Sequence, residues 1–294
     1  MKIRIASRTS KLAMAQTVFV EQQLRANIPG CDVEIKTFKT SGDRFLDKDL
    51  QSFGGKGAFT KEIEDALLRN LADIAVHSLK DLPTTLPQGL DCIAFLQRET
   101  PFDCLVSEKW PTFDSLPQNA RIGTGSIRRI TQINAKRPDI ETVGIRGNLQ
   151  TRLRKLTEQN LDGIILAVAG LKRLGLTDRI TQELRPPAFV PAAGQGIIAV
   201  ESRTDWTGGN VVKKALNNAD SQAVAAIERG ILDALGGGCH APVGVHASIE
   251  GSTHVWAVAE MGRDGLVRAD RVFDIGTDTK TIVKTMENAL KQFD

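Results

Sequence analysis

The chain contains no tyrosine, and aromatic side chains supply only 5% of its 294 residues. Proteins that bind single-stranded nucleic acid stack the bases on aromatic rings, so this scarcity counts against that class. An excess of one charge is missing as well, because 38 basic and 35 acidic residues leave a formal net charge of +3. The composition therefore indicates an ordinary globular protein and does not favour a nucleic-acid partner.

Long apolar runs are also absent. No stretch reaches the roughly 18 apolar residues that a membrane-spanning helix needs. The first residues, "MKIRIASRTS", alternate apolar and polar side chains instead of forming an apolar signal region. We therefore predict no membrane contact and a cytoplasmic location.

Cysteine is scarce, with four in the chain, and no two have the CxxC spacing of a zinc or redox site. Cys31, Cys92 and Cys104 lie in apolar, strand-like runs, where a reduced thiol behaves as a small hydrophobic side chain. Neither disulfides nor structural zinc are predicted.

The fourth cysteine, Cys239, lies in "LGGGCHAPVG", between three glycines and a turn. Two interpretations are open. The thiol is either buried at the end of a helix, which is the commoner case, or accessible enough to anchor a covalent group. Together with His240 and His246 it lacks the usual ligand grouping of a metal site, so no metal is predicted.

Strand and helix patterns alternate through the first third of the chain. Strands are predicted at 2–7, 31–39 and 72–78, and helices at 11–27 and 59–70. The middle third repeats the alternation, with strands at 121–125, 140–145 and 163–168 and helices at 126–136, 148–158 and 168–174. This order indicates two α/β units, each with a parallel or mixed sheet covered by helices.

The proline-rich stretch 184–196 interrupts this rhythm and is predicted to cross between domains. After the next strand, "IIAVES", come two helices at about 207–217 and 220–235, an antiparallel meander of three strands, and a helix at 278–292. We predict a small α+β domain at this end of the chain.

The positive charge is concentrated in the segment 121–155, which contains nine lysines and arginines but only two acidic residues. In "GTGSIRR", Ser126 can cap a helix whose first turn carries Arg128 and Arg129. Free N–H groups at a helix start and forked guanidinium donors suit a carboxylate or phosphate. An N-cap followed by surface arginines is the plain alternative.

The stretch "IRGNLQTRLRK" repeats this arrangement. Arg146 is predicted to end a strand, Asn148 to cap the next helix, and Arg152 to lie one turn into it. Two such constructions within one basic segment favour an anion-binding wall.

In "VHSLKD", Lys80 and Asp81 follow a predicted strand, at the position where α/β folds bind ligands. A solvated turn is the alternative, and the spacing alone favours the turn. A hydrolase triad of His77, Ser78 and Asp81 is not predicted, because neighbours on a strand point to opposite faces.

The glycines around Lys56 in "SFGGKGAFTKEIE" do not have the spacing of a nucleotide P-loop. A flexible lid and a simple turn both remain open.

Eight motifs occur in the order typical of one enzyme family, and they span nearly the whole chain. They are "SRTSKLAMAQ", "GGKGAFTKEIE", "DIAVHSLKDLP", "GTGSIRR", "IRGNLQTRL", "DGIILAVAGLKRLG", "PAAGQG" and "GGGCHAPVG". With them the chain resembles the porphobilinogen deaminases, also called hydroxymethylbilane synthases. It departs from the usual pattern at Ser52, where a lysine is frequent, and at Gly125, where a serine is usual.

The resemblance implies two α/β domains similar to those of periplasmic binding proteins, an active site in the cleft between them, and a small α+β domain that carries the cysteine. In this chain it places domain 1 at 1–97 and 191–212, domain 2 at 98–190, and domain 3 at 213–294.

The resemblance also implies the chemistry. Four porphobilinogen molecules are joined, each with loss of ammonia, onto a dipyrromethane cofactor, and water then releases the linear tetrapyrrole hydroxymethylbilane. Cys239 matches the cysteine that holds the cofactor through a thioether. Asp81 matches the aspartate that faces the pyrrole nitrogens and stabilises positive charge as ammonia leaves.

Further motif positions match side chains that hold the acetate and propionate groups. For the cofactor they are Lys80, Ser126, Arg128, Arg129, Arg146 and Arg152; for the substrate they are Arg8, Ser10, Lys56, Arg173 and Gln195. The family pattern further implies a monomer whose product passes to uroporphyrinogen III synthase.

Two other functions compete with this one. A two-lobed protein that only binds a small anion would need the same α/β units, but it would not need a glycine-flanked Cys239. A nucleic-acid binder could use the basic segment 121–155, but its arginines lie at helix starts and aromatic side chains are few.

Overall fold

A computed structural model describes residues 1–40, 60–237, 241–261 and 265–291 of the chain. The strands are β1 (Lys2–Arg8), β2 (Asp32–Phe38), β3 (Ile74–Ser78), β4 (Leu90–Phe95), β5 (Asp103–Val106), β6 (Arg121–Gly123), β7 (Glu141–Val143), β8 (Gly163–Ala167), β9 (Gln182–Leu184), β10 (Ile198–Arg203), β11 (Val243–Ile249), β12 (Ser252–Met261) and β13 (Gly265–Asp274). The helices are α1 (Lys11–Asn27), α2 (Lys61–Leu68), α3 (Ile127–Lys136), α4 (Leu149–Glu158), α5 (Val168–Arg173), α6 (Gly209–Leu216), α7 (Ala219–Ala234) and α8 (Thr279–Lys291).

The chain forms two compact units. Unit 1 comprises Met1–Glu99 and Ile197–Gln222, and unit 2 comprises Thr100–Gly196 and Ala223–Asp294. Unit 2 holds both the second α/β sheet and the C-terminal sheet, so the division into three domains stays a prediction.

Unit 1 is built on a five-stranded sheet in the order β2-β1-β3-β10-β4. The strands β2, β1 and β3 are parallel, whereas β10 runs antiparallel to both β3 and β4. In β1, buried side chains alternate between the two faces. Ile3 and Ile5 pack in one core with Val20 of α1, while Ala6 packs in another with Ile63 of α2.

Unit 2 contains a second five-stranded sheet, in the order β7-β6-β8-β5-β9. Here β6 pairs in parallel with β7 and β8, and β5 pairs antiparallel with β8 and β9. Hydrophobic clusters cover it, one including Ile122 and Ile165 and another including Ile164 and Leu166. The opposite directions of neighbouring residues again produce two separate cores.

The C-terminal part of unit 2 is a separate antiparallel sheet in the order β11-β12-β13. The predicted fold class is confirmed: two mixed α/β sheets are followed by a small α+β segment. Among the described helices, none is both long and apolar enough to cross a membrane.

Two features of the sheets did not follow from the sequence patterns. The short strand β9 falls at the start of a proline-rich stretch, where three residues are too few to produce a periodic pattern. The strand β10 was predicted, but its antiparallel place between β3 and β4 was not, since that position depends on partners more than 100 residues away.

Candidate active site

In unit 1, the parallel strands β1, β2 and β3 end at one edge of the sheet, the edge where α/β proteins bind ligands. Arg8 is the last residue of β1. Ser10 follows as the N-cap of α1, and its side chain accepts a hydrogen bond from the Ala13 backbone N–H at 3.3 Å. The strand β3 ends at Ser78 and leads into a single 3₁₀ turn, Leu79–Asp81.

A pocket lies at this edge of unit 1. Its lining includes Arg8, Ser10, Gln16, Thr60, His77, Ser78 and Asp81. Three predicted site residues, Arg8, Ser10 and Asp81, are thus brought together from β1, α1 and the turn after β3. Lys80 lies on the same turn and is half-buried, while Asp81 is exposed.

Two buried leucines and a backbone hydrogen bond fix the turn that carries Asp81. Leu79 and Leu82, on either side of the polar pair, are buried. The Leu79 backbone N–H donates to the Ile197 carbonyl at 3.0 Å. The backbone that carries the Asp81 side chain is therefore fixed. A side chain that contacts a substrate needs such a fixed position.

Gln16, a further polar residue of the pocket, was not predicted from the sequence. The amide Nε2 of Gln16 donates to Ser78 Oγ at 2.8 Å, which ties α1 to the end of β3. Gln16 is buried on the core-facing side of α1, among the mainly apolar residues Ala13, Val20 and Leu24. A polar side chain at a core-facing helical position was the available signal.

His77 faces away from Ser78, as the alternation along a strand requires, so a catalytic triad is not formed. Its Nε2 lies 3.0 Å from Glu201 Oε2 of β10, and both side chains are buried. The neighbouring Glu64 of α2 is also buried. Burial raises the pKa of Glu64, a hydrogen bond with Thr60 offsets part of that rise, and the Glu201 carboxylate adds to it.

The second sheet has an equivalent edge, formed by the ends of β6, β7 and β8. Ser126 is at the N-cap of α3 with an extended backbone, but its side chain makes no capping hydrogen bond. The prediction that Ser126 caps this helix is therefore wrong. Its backbone N–H instead donates to Thr124 Oγ1 at 3.2 Å, so a threonine side chain stabilises the loop.

Arg128 and Arg129, in the first turn of α3, are buried, each with 5% of its surface exposed. Both contact Asp103, the first residue of β5. Arg128 Nη1 lies 2.8 Å from Asp103 Oδ2, and Arg129 Nη2 lies 2.6 Å from Asp103 Oδ1. The alternative that these arginines are solvated surface residues is thus excluded.

Each guanidinium also donates to a backbone carbonyl, Arg128 to Val190 at 2.7 Å and Arg129 to Ile165 at 2.8 Å. Burial alone would raise the pKa of Asp103, but the charges and hydrogen bonds of the two arginines hold that pKa well below its usual range. Asp103 is therefore ionised. The sequence analysis did not select it, although a charged residue opening the apolar strand "DCLV" was a signal.

Gln195 joins the same network. It is buried, and its Nε2 donates to Asp103 Oδ1 at 3.0 Å and to the Pro101 carbonyl at 2.7 Å. Nearby in sequence, the Gly196 carbonyl accepts a hydrogen bond from Arg173 Nη2 at 2.5 Å. Both predicted substrate contacts thus take part in the internal structure of unit 2.

The loop between β7 and α4 carries the remaining predicted arginines. Asn148 caps α4, as predicted, because its side chain accepts a hydrogen bond from the Thr151 backbone N–H at 2.9 Å. Arg152 Nε donates to the Gly147 carbonyl at 2.9 Å. The strand β7 ends at Val143, so Arg146 lies in an exposed loop position and not at a strand end. The predicted strand was too long because apolar Ile145 belongs to the loop.

The glycine at position 125 has a local structural reason. A Cβ atom there would lie 2.8 Å from the Ile145 carbonyl oxygen, which is closer than real side chains approach. A serine at this position would require the loop after β7 to shift. The departure from the usual family pattern is therefore matched to the backbone of this chain.

Two predicted residues, Cys239 and Lys56, lie outside the described residues. Of the cysteines that the structure describes, Cys31 and Cys104 are buried. Burial raises the pKa of Cys31 and, with the Asp103 charge adding to it, raises the pKa of Cys104 to about 12. Both thiols are unreactive hydrophobic groups. In the described ranges, no group of His, Cys, Asp and Glu could hold a metal ion.

Comparison with known proteins agrees with these observations. The family model "Porphobilinogen deaminase, dipyromethane cofactor binding domain" matches residues 3–208, and "Porphobilinogen deaminase, C-terminal domain" matches residues 223–291. A porphobilinogen deaminase of Syntrophomonas wolfei is 50% identical over 249 residues, which cover 85% of this chain and 81% of the relative. One of Natranaerobius thermophilus is 41% identical over 296 residues, covering 99% of this chain and 94% of the relative.

Solved structures of lower similarity were found as well. A nutrient binding protein from Burkholderia cenocepacia has a TM-score of 0.45 and 12% identity, over 72% of this chain and 90% of that structure. A periplasmic binding protein from Salmonella typhimurium has a TM-score of 0.43 and 14% identity, over 76% of this chain and 96% of that structure. The two family models and the close relatives, by contrast, span nearly the whole sequence, and this chain belongs to the porphobilinogen deaminase family.

Proposed function

We propose that this chain is a hydroxymethylbilane synthase. It joins four porphobilinogen molecules, each with release of one ammonia, onto a dipyrromethane primer, and water then releases the linear tetrapyrrole. The observation that carries this proposal is the meeting of Arg8, Ser10 and Asp81 at one pocket in unit 1. Arg8 and Ser10 were selected for this chemistry from one sequence motif and Asp81 from another.

Asp81 is the residue proposed to promote loss of ammonia. When the aminomethyl group leaves porphobilinogen, positive charge develops on the pyrrole ring, and a fixed carboxylate next to the ring nitrogen stabilises that charge. The carbon–nitrogen bond breaks with its electron pair going to the leaving group, which departs as ammonia. Asp81, exposed on a backbone turn fixed by buried leucines, is suitably presented for this role.

Arg8 and Ser10 are proposed to hold the substrate in place. Each pyrrole ring of porphobilinogen bears an acetate and a propionate, and a guanidinium pairs with such carboxylates through parallel hydrogen bonds. Lys56, Arg173 and Gln195 stay predicted substrate contacts. The buried hydrogen bonds of Gln195 support an internal role beside any contact with substrate.

A cofactor wall is proposed at the edge of the second sheet, and Lys80 stays a predicted cofactor contact. The wall's unit 2 members are Ser126, Arg128, Arg129, Arg146 and Arg152. A polycarboxylate fits the donors present. Arg128 and Arg129 together carry one more charge than Asp103 neutralises, and Arg129 Nε is buried with no hydrogen-bond partner in the part of the chain that the structure describes.

Cys239 is the proposed anchor of the dipyrromethane. When bound, this cofactor supplies the electron-rich pyrrole carbon onto which the first substrate unit is added. The protein's own part is to keep one thiol available for the thioether, and the raised pKa values of Cys31 and Cys104 make those two thiols poor candidates.

Several broader features are proposed from the family pattern. The protein is a cytoplasmic monomer of three domains, bounded as given above. Its product passes to uroporphyrinogen III synthase.

The test is the intact mass of the purified protein. We expect the mass to exceed that of the chain by one dipyrromethane, and Cys239→Ser to give the bare chain mass. Cys92→Ser serves as the matched control and should keep the adduct. Active wild-type protein with the bare chain mass would contradict the cofactor assignment, and an adduct on Cys239→Ser would contradict the anchor.

A further inference from the structure

Asp103 is the centre of a buried group of charged side chains in unit 2. Its own surface is 1% exposed, and each of its two arginine partners is 5% exposed. Among the described residues, it is the one carboxylate that forms an ion pair with either guanidinium. The group therefore contains two positive charges and one negative charge, removed from water.

Burying a charge without a partner costs much free energy, so a buried charged side chain is usually paired with a group of opposite charge. No second carboxylate of the described chain contacts these arginines. Arg129 Nε is also buried, and no atom of the described residues is its hydrogen-bond partner. The spare positive charge and the unused donor both indicate a carboxylate that comes from a ligand.

The strand register explains why this group lies at the binding edge. The strand β5 runs antiparallel to β8, so its first residue, Asp103, pairs with Ala167, the last residue of β8. In this way an aspartate at the start of a strand reaches the edge at which the parallel strands end. The arginines reach the same edge from the opposite direction, on the first turn of α3 after β6.

The hydrogen bonds leave little freedom to either arginine. Arg128 is held by Asp103 and the Val190 carbonyl, and Arg129 by Asp103 and the Ile165 carbonyl. Gln195 in turn fixes Asp103 Oδ1. A side chain that is already ordered loses less conformational entropy when a ligand binds, which favours binding.

We propose that Asp103 is a positioning residue of the cofactor site. It orients Arg128 and Arg129, and the one positive charge that it leaves unneutralised accepts one carboxylate of the dipyrromethane. This inference rests on the proposed function. It assigns to Asp103 no contact with the reacting atoms, because the residue acts through the two arginines.

The experiment follows cofactor assembly on apoprotein by intact mass, with porphobilinogen as the probe. The rate of adduct formation is measured against porphobilinogen concentration for wild type and Asp103→Asn. We expect the half-saturating concentration to rise at least about tenfold in the variant, as for the loss of a charged hydrogen bond, while the maximal rate changes much less. A purely structural defect would lower the amount of competent protein and leave the half-saturating concentration unchanged.

Two further variants test whether the effect belongs to Asp103 and to its charge. Asp139→Asn is the control, because Asp139 forms a partly exposed pair with Arg137 of the same unit, at 2.7 Å and away from the proposed wall. It should load like wild type. Asp103→Glu restores the charge and should assemble the cofactor at lower porphobilinogen concentration than Asp103→Asn. If packing alone mattered, the isosteric asparagine would be the better replacement.

The outcomes separate this inference from the proposed function. Wild-type apoprotein that forms no adduct overturns the function and this inference with it. Normal loading of wild type together with an unchanged half-saturating concentration in Asp103→Asn overturns the positioning role alone. If Asp103→Asn does not fold, Gln195→Leu removes the amide that fixes Asp103, and a half-saturating concentration equal to that of wild type would then overturn the inference.

Discussion

Two aspartates at the binding edges of the two sheets have opposite surroundings. Asp81 is exposed on a turn beside the pocket of unit 1, whereas Asp103 is sealed between two arginines of unit 2. A carboxylate must be accessible to act on a substrate, and it must be buried and paired to orient other side chains rigidly. An aspartate is thus suited to act on a substrate at the edge of the first sheet and to orient two arginines at the edge of the second.

For Asp81 we predict that Asp81→Asn retains the dipyrromethane or traps partly extended chains but loses turnover. The amide has nearly the same shape and lacks the negative charge, so it cannot stabilise the positive ring. We expect the rate of porphobilinogen consumption to fall at least about a hundredfold, the range found when one transition-state contact is removed. Intact mass should show the adduct still in place.

Asp91→Asn is the matched control, since Asp91 is an exposed aspartate on β4 of the same unit. Its turnover should equal that of wild type. A near-normal rate in Asp81→Asn would refute the role given to Asp81.

The sequence was informative about residues that follow a strand and poor about residues that face one another across strands. Arg8 and Ser10 were selected from one motif and Asp81 from another, about 70 residues later, and the fold brings all three to one pocket. Asp103 was missed because its importance comes from Arg128, 25 positions further along the chain, and from the antiparallel pairing of β5 with β8. Local sequence patterns do not indicate which strands pair with each other.

At the level of elements, the helices α3 and α4 begin in different ways. Asn148 caps α4 through its side chain, whereas Ser126, in the corresponding position of α3, makes no such hydrogen bond. The helix α3 is instead held by the buried contacts of its first-turn arginines. A polar residue at the N-cap position therefore corresponds to a side-chain cap in α4 but not in α3.

This difference gives a prediction for Asn148→Ala. Loss of the side-chain acceptor leaves the Thr151 N–H without its partner and should reduce the opening free energy of α4 by about 1 kcal/mol. Hydrogen exchange of the α4 amides measures this change directly. Ser126→Ala is the matched variant, and the exchange of the α3 amides should be nearly unaffected. Equal effects of the two substitutions would contradict the assignment of the caps.

The bounds of most helices and strands could be predicted because periodicity and capping are local. The helix α1 was predicted at 11–27 and begins and ends at those residues. The order of the strands within each sheet was not predictable in the same way. The position of β10 depends on contacts with β3 and β4, and the sequence between them contains all of the second sheet.

At the level of the whole molecule, unit 1 is discontinuous. Its sheet needs β10, which lies between β3 and β4 and follows the 97 residues from Thr100 to Gly196 of unit 2. We predict that a chain ending at residue 196 does not form a stable unit 1, because β3 and β4 would both lack their shared neighbour. Hydrogen exchange of the β1 and β3 amides should be fast in this truncated chain.

A chain ending at residue 222 is the control, since it contains every residue of unit 1. Its β1 and β3 amides should be markedly better protected than those of the shorter chain. Equal protection in the two truncations would show that β10 is dispensable for this sheet.

The late position of β10 has a consequence during protein synthesis. Translation proceeds at roughly 5–20 residues per second, and domains generally fold as their sequence emerges. The first sheet cannot follow that order here, because β10, which lies between β3 and β4, is made after the whole of the second sheet. The amino-terminal strands thus wait at the ribosome exit with an open edge, and in this interval a chaperone that covers exposed strand edges would protect the nascent chain from aggregation.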